Sequence, residues 1–280
     1  MNSMRQRAKR SLGQNFLCDP NYITKIIASV RPSTGDTIIE IGPGRGALTE
    51  KLVDSAAGVI AIELDRQLID PLRQRFANCS NFQVIEQDAL TVDYGQLLAD
   101  ARSSNERSAD SSDSRSQFTA KLVANLPYNI STAILQHLAE QRQHLSSLVL
   151  MFQREVVERM IAKPGNSDRG FFTVLVESAF EVENLFDVPP AAFRPVPKVW
   201  SSVVRLTPKP KVGSEASLKC LLSAAFAQKR KTIANNLKRE FPDHSRILAA
   251  AGIDSHRRAE SLTLDEWNTL NTAVSPIGRE

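Results

Sequence analysis

Thr37-Ile-Ile-Glu-Ile-Gly-Pro-Gly-Arg-Gly46 reads as a strand that runs directly into a glycine-rich turn. Thr37–Ile41 is short, apolar and β-branched, and the stretch Ala47–Ser55 beyond the turn has a helical pattern. Glycines in such a turn reach positive φ and let the backbone approach a ligand closely. The next segments repeat the alternation: strand Gly58–Ile62, helix Arg66–Phe76, strand Phe82–Ile85. Short β-branched runs alternating with helical stretches indicate βαβ units and a parallel sheet covered on both faces. The fold class is α/β.

Two carboxylates sit where such a sheet presents them to a ligand. Glu63 follows Gly42 by about 20 positions, at the end of the second strand, where an acid takes two ribose hydroxyls. Asp88 closes the third strand in Glu86-Gln-Asp-Ala89, where it can accept from an adenine amine. Turn, ribose acid and adenine acid at successive strand ends describe a nucleoside pocket. Asp65 and Asp88 can also serve as helix N-caps. Gly42-x-Gly44-x-x-Ala47 also fits the loose dinucleotide pattern, so a dehydrogenase stays open on this turn alone.

Further on, the apolar run Lys121-Leu-Val-Ala124 leads into Asn125-Leu-Pro-Tyr128 and a helix near Thr132–Glu140. The Asn125 side-chain oxygen and the Leu126 carbonyl can both accept from an exocyclic amine. Pro127 lacks an N–H, fixes its own φ and holds Leu126 extended. Tyr128 offers a face on which a base can stack. An ordinary strand-to-helix turn would also use Asn and Pro.

Outside these segments the chain divides by composition. Residues 1–18 are basic at first (Arg5, Arg7, Lys9, Arg10), and Asp19-Pro20 then caps a helix to about Val30. Residues 102–117 are rich in Ser, Asp, Arg and Asn with no apolar period, which predicts a disordered insertion. Strand Ser147–Met151, helix Gln153–Ile161, loop Lys163–Asp168 and helix Phe171–Phe180 follow. Glu181–Val188 and Ser202–Leu206 read as paired strands joined through Pro189–Val199. Beyond a linker at Pro208–Val212 only helical patterns remain: Leu218–Phe226, Thr232–Phe241, Arg246–Ala251 and Leu264–Ala273. The expected domains are a tail and covering segment at 1–18, a ligand-binding domain at 19–207 and a helical domain at 208–280.

With 280 residues, 42% hydrophobic and 24% charged, the composition is that of an ordinary globular protein. A net charge of +4 permits a polyanionic partner. Cys18, Cys79 and Cys220 are odd in number and widely spaced, so neither a disulfide framework nor a zinc site is indicated. That composition fits a reducing, cytoplasmic setting. No apolar stretch follows the basic N-terminus, so a secretory signal is not expected, and no run is long enough to span a bilayer. Lys229, Arg230, Lys231, Lys238 and Arg239 cluster without aromatics, which suits RNA phosphate contact. A solvated helix face near Glu240 and Asp243 would look the same.

Taken together, Glu40–Gly46, Glu63-Leu-Asp65, Asp88-Ala89 and Asn125–Tyr128 resemble the class I S-adenosylmethionine-dependent methyltransferases that modify adenine. Ser11-Leu-Gly-Gln-Asn-Phe-Leu17, Phe193-Arg-Pro-Val-Pro-Lys-Val199 with Ser201–Leu206, and Ala225–Thr232 with Asn235-Asn-Leu237 narrow the likeness. They resemble the small-subunit ribosomal RNA adenine dimethyltransferase family over nearly the whole chain outside the Ser-rich insertion. The resemblance implies a Rossmann-like, mostly parallel seven-stranded sheet with a reversed last strand, plus a small C-terminal helical domain. It also places S-adenosylmethionine against Asn15, Leu17, Gly42, Glu63, Asp88 and Asn125. Arg169-Gly-Phe-Phe-Thr-Val174 departs from the Tyr-Gly-x-Leu-Ser-Val that relatives often carry.

The implied reaction is methylation of the N6 amine of adenosines in small-subunit RNA, twice at each of two adjacent adenosines. The catalytic set is Asn125, Leu126, Pro127 and Tyr128, with Phe193 as the candidate to hold the base opposite Tyr128; a purely buried Phe193 in Ala191-Ala-Phe-Arg-Pro195 fits the sequence equally. A monomer acting on a pre-assembled subunit in the cytoplasm, with no membrane partner, is expected. Alternatives of the same fold are a macrolide-resistance methyltransferase of large-subunit RNA and a non-catalytic or dual-role assembly or transcription factor. The Gln228–Asn236 run and the extended tail favour the small-subunit enzyme.

Overall fold

The structure is a computed structural model that describes residues 13–106 and 119–274. The basic residues Arg5–Arg10 and positions 107–117 of the expected insertion lie outside the described residues.

The strands are β1 (Phe16–Leu17), β2 (Thr37–Ile41), β3 (Gly58–Glu63), β4 (Phe82–Glu86), β5 (Ala120–Asn125), β6 (Leu145–Gln153), β7 (Phe180–Val188), β8 (Phe193–Arg194) and β9 (Ser201–Pro208). Among the described residues, one seven-stranded sheet runs in the order β4-β3-β2-β5-β6-β9-β7, and β1 pairs with β8 in a separate two-stranded ribbon. The pairs β4-β3, β3-β2, β2-β5 and β5-β6 are parallel, and β9, the last strand in the chain, joins β6 antiparallel. This is the mostly parallel sheet with a reversed last strand that the sequence led us to expect. All five residues of β2 are buried, as in a central parallel strand covered on both faces, and they include the polar Thr37 and Glu40.

The helices are α1 (Pro20–Val30), α2 (Thr49–Val53), α3 (Arg66–Arg75), α4 (Tyr94–Glu106), α5 (Ser131–Glu140), α6 (Arg154–Met160), α7 (Phe171–Ala179), α8 (Glu215–Ala225), α9 (Ile233–Leu237), α10 (His244–Ala250) and α11 (Leu264–Val274). Among the described residues none is long and apolar enough to cross a membrane. Asp19 caps α1 by accepting from Asn21 N at 2.8 Å, with Pro20 in the first turn. The helix expected at Ala47–Ser55 is shorter, because Gly46 sits at φ +78° and regular helix begins only past the turn.

The chain forms two compact units. One runs to Val157 and includes Val182–Pro208; the other comprises Glu158–Glu181 and Lys209 onwards. A division at residue 208 alone therefore misses α7. Its Val174 and Leu175 share one core with Leu221, Leu222, Ile233, Leu237, Trp267 and Leu270 of the second unit. Arg169, at the position that departs from the relatives' pattern, is a structural brace of that unit. Its buried guanidinium donates to the carbonyls of Ala162 and Leu262 and pairs with Glu177 at 2.6 Å.

In the first unit, Ile26 and Val30 of α1, Leu52 of α2 and Leu48 just before it join a core with Ile38, Val123 and Val149. A second cluster joins Leu68, Ile69, Leu72 and Phe76 to Ala61 and Val84. A further correction concerns α4. Residues 102–106, expected to begin a disordered insertion, are its last turns, and its buried Tyr94 and Leu98 were not anticipated as helical.

Candidate active site

The sheet order reverses at β2, with β3 and β4 on one side and β5 and β6 on the other. Ligands bind beyond the carboxyl ends of the strands at such a switch point. A cavity of about 280 Å³ lies there. It is lined by Gly42 and Gly44 after β2, Glu63 and Leu64 at β3, Asp88–Leu90 after β4, and Asn125–Ile130 after β5. Gly13–Phe16 supply the remaining wall with Ile41 and Ile134.

The glycine-rich turn is shaped by close approach. Gly44 has φ +58°, and a Cβ there would come within 2.9 Å of the Phe16 ring. No side chain fits without moving Phe16, which also carries the Arg45 guanidinium over its ring at 4.7 Å. Glu63 fastens the same turn. Its Oε2 accepts from Gly44 N at 3.3 Å and its Oε1 from Asp65 N at 2.8 Å. Burial raises its carboxyl above the ordinary value, opposed by these two bonds. A carboxylate has about four lone-pair sites, so capacity for two more donors remains.

Asp88 is both a cap and a wall of the cavity. Its Oδ1 accepts from Leu90 N at 3.0 Å, and among the described residues its Oδ2 has no partner. The capping and ligand roles are thus compatible. Asp65 caps α3 through Gln67 N, while Gln14 Nε2 reaches its Oδ2 at 3.0 Å and ties the N-terminal segment to the site.

Asn125 ends β5 and donates from Nδ2 to the Asn15 carbonyl at 2.9 Å, which leaves Oδ1 as an acceptor. Leu126 is 1% exposed, so the turn is anchored by its buried side chain and fixed by Pro127. The Tyr128 hydroxyl lies 2.6 Å from Ser201 Oγ on β9, and burial raises its pKa.

Two expected residues stand elsewhere. Phe193 is 0% exposed and belongs to the core, so its ring offers no face to the cavity. Its backbone pairs with Leu17 across β1 and β8, which positions the wall segment. Leu17 is itself buried and lines a neighbouring cavity with Glu40, Gly42 and Asn125, not the main one. Gln14, Phe16, Leu64 and Ala89 are wall residues that stand inside the quoted motifs but were given no site role from the sequence. Ser201 stands in a quoted run, but its pairing with Tyr128 gave no signal, because the two are 73 positions apart.

Glu40 is 1% exposed, and burial pushes its carboxyl from 4.5 up to about 7, with the Thr49 hydroxyl donating to it at 2.6 Å. A carboxyl whose folded pKa is raised costs nothing below its ordinary value. Its cost grows as pH rises and is complete above about 7. Glu40→Gln keeps a neutral acceptor for Thr49. Without ligand, the variant should match wild type near pH ~4 and exceed it by roughly 3 kcal/mol near pH ~8. Denaturant unfolding across that window checks it; parallel curves would refute it.

Sheet order, switch-point cavity and glycine-rich turn define a class I methyltransferase that uses S-adenosylmethionine. The chain belongs to the ribosomal RNA adenine dimethylase family, whose model matches residues 5–275. It is 41% identical over 273 residues to ribosomal RNA small subunit methyltransferase A of Aromatoleum aromaticum, covering 96% of this chain and 95% of that relative. Among solved structures it is similar to a dimethyladenosine transferase from Plasmodium falciparum, with TM-score 0.77 and 27% identity over 94% of this chain and 98% of that one. A 23S rRNA methyltransferase, ErmE, shares the fold at TM-score 0.64 and 24% identity, over 93% of this chain and all of that one. The dehydrogenase reading of the glycine turn is thereby set aside.

Proposed function

We propose that this chain methylates the N6 amine of adenosines in small-subunit ribosomal RNA, twice at each of two adjacent adenosines. The observation that carries this reading is the convergence of Glu63, Asp88, Asn125 and Tyr128 on one cavity. The donor set suits the cofactor: two carboxylates with open lone pairs for hydroxyls and an amine, and a glycine turn in which Gly44 leaves no room for a side chain beside Phe16. Glu63 and Asp88 would hold the nucleoside, and Gly42, Asn15 and Asn125 the remainder. When bound, S-adenosylmethionine supplies a methyl group on a positively charged sulfur, so the leaving group needs no proton.

The protein's task is to make a poor nucleophile attack. The adenine amine's lone pair is delocalised into the ring. Asn125 Oδ1 and the Leu126 carbonyl accept its two N–H groups and favour a pyramidal nitrogen. Fixing that geometry can be worth roughly 7–11 kcal/mol in favourable cases. Tyr128 supplies the face on which the extruded base rests.

Exposed Lys229, Arg230, Lys231, Lys238 and Arg239 support phosphate contact by the second unit. Among the described residues the first four form no ion pair, which leaves their charge available to RNA. A monomer working on a pre-assembled particle in the cytoplasm completes the proposal. Incubation with labelled cofactor and unmethylated small subunits tests it. Label in N6-dimethyladenosine of the small-subunit RNA is expected; none, with cofactor bound, would refute it.

Tyr128 gives a sharper prediction. Because its hydroxyl is held by Ser201, Tyr128→Phe loses a tether and should cost about threefold to tenfold in kcat, near one neutral hydrogen bond. Tyr128→Ala removes the stacking face and should cost about 100-fold. Single-turnover transfer measures both; equal losses would mean that the hydroxyl, not the ring, matters.

A further inference from the structure

We infer that the loop Arg194–Trp200 is an RNA-docking surface of the catalytic unit, on which Trp200 stacks a nucleotide flanking the target adenosine. This rests on the adenosine methyltransferase reading and adds a residue and a contact to it. Among the described residues six large apolar side chains are exposed, and three of them, Val196, Val199 and Trp200, fall in one five-residue span. Single exposed apolar residues need no explanation, but a cluster marks an interaction site. Trp200 is 48% exposed, whereas the protein's other tryptophan, Trp267, is fully buried.

Both ends of the loop are tied to walls of the cavity. At one end Arg194 pairs with Phe16, a lining residue. At the other, Ser201 is the hydroxyl that holds Tyr128. The Trp200 carbonyl accepts from Arg154 N at 2.9 Å, which fixes the backbone where the indole departs. Trp200 is thus one residue from the tether of the proposed stacking tyrosine.

Charge selects the partner. Arg194 and Lys198 are exposed, form no ion pair among the described residues, and no acid lies between Phe193 and Ser201. The acid on the neighbouring strand, Asp187, is engaged by Ser202 Oγ at 2.6 Å and by Arg154 at 3.6 Å. An exposed aromatic face on a loop that carries two cations without acid partners is the arrangement that takes single-stranded nucleic acid. When the target base leaves its stack, its neighbour loses one stacking surface. Trp200 supplies the replacement.

The test uses the full chain in two assays. Single-stranded oligoadenylate should quench the tryptophan emission of wild type but not of Trp200→Phe, whose remaining Trp267 is buried. With unmethylated small subunits, Trp200→Ala should raise KM about tenfold, and Trp200→Phe should restore it to within about threefold, because stacking needs a ring. Affinity for S-adenosylhomocysteine should be unchanged in both. Absent quenching overturns the inference, even if KM rises, since the loop would then meet a protein. An unchanged KM in Trp200→Ala, or equal losses in the Ala and Phe variants, also overturns it. If wild type transferred no methyl to subunits, the parent reading would fall, and quenching would still decide whether the indole stacks on RNA.

Discussion

Asn125→Ala is expected to lower kcat by roughly 10²–10³-fold while RNA affinity stays near wild type, since the contact it removes strengthens as the amine pyramidalises. The structure divides the Asn125 amide into two functions. Nδ2 is spent on the Asn15 carbonyl at 2.9 Å, and Oδ1 is left to accept from the substrate. Alanine removes both, so cofactor affinity should also fall as the Gly13–Phe16 wall loses its anchor. Asn125→Asp separates the two functions, because it retains an acceptor but cannot donate to Asn15. The aspartate should therefore lose cofactor affinity and retain more of the chemical step than alanine. Single-turnover methyl transfer at saturating cofactor, beside calorimetry with S-adenosylhomocysteine, measures each part. A fully active Asn125→Ala would remove the residue from catalysis.

The sheet was legible because its central strands are short, mostly β-branched runs between glycine, proline and capping residues, as at Thr37–Ile41 and Gly58–Ile62. The site's acids were legible for the related reason that strand ends are fixed points of a parallel sheet. What was hidden depends on partners distant in sequence. Helix α4 was missed because its last residues, Arg102–Glu106, are polar, while the burial of Tyr94 and Leu98 depends on tertiary packing. Phe193 looks like an aromatic at a site's edge, yet pairing with Leu17 carries it into the core. Helix α7 directly precedes β7 in the chain, but its apolar face belongs to the second unit's core. Neither the Tyr128–Ser201 bond nor the Asn125–Asn15 bond has any local signature.

That same distinction changes what Glu63 should do. On sequence alone, Glu63→Ala would remove only ribose contacts and leave the fold untouched. In the structure the carboxylate also accepts from Gly44 N and Asp65 N, so it shapes the glycine turn and the approach to α3 before any ligand arrives. Glu63→Ala should therefore weaken S-adenosylhomocysteine by about 100-fold, from lost charge-assisted hydrogen bonds together with a turn no longer held for binding. The variant should also unfold more easily, because two amide groups lose their partner. Hydroxyl donors of the cofactor favour the ionised carboxyl, so binding lowers a pKa that burial holds above the ordinary value of 4.5 in the free protein. Wild-type affinity should accordingly decline as pH falls through that raised value, at a higher pH than an ordinary glutamate would give. Glu63→Ala should lose this dependence. Calorimetric titrations of both proteins across the acidic range decide it. An alanine variant that retained wild-type affinity would take Glu63 out of the site. One that bound weakly but kept the wild-type pH dependence would assign the titration to another acid.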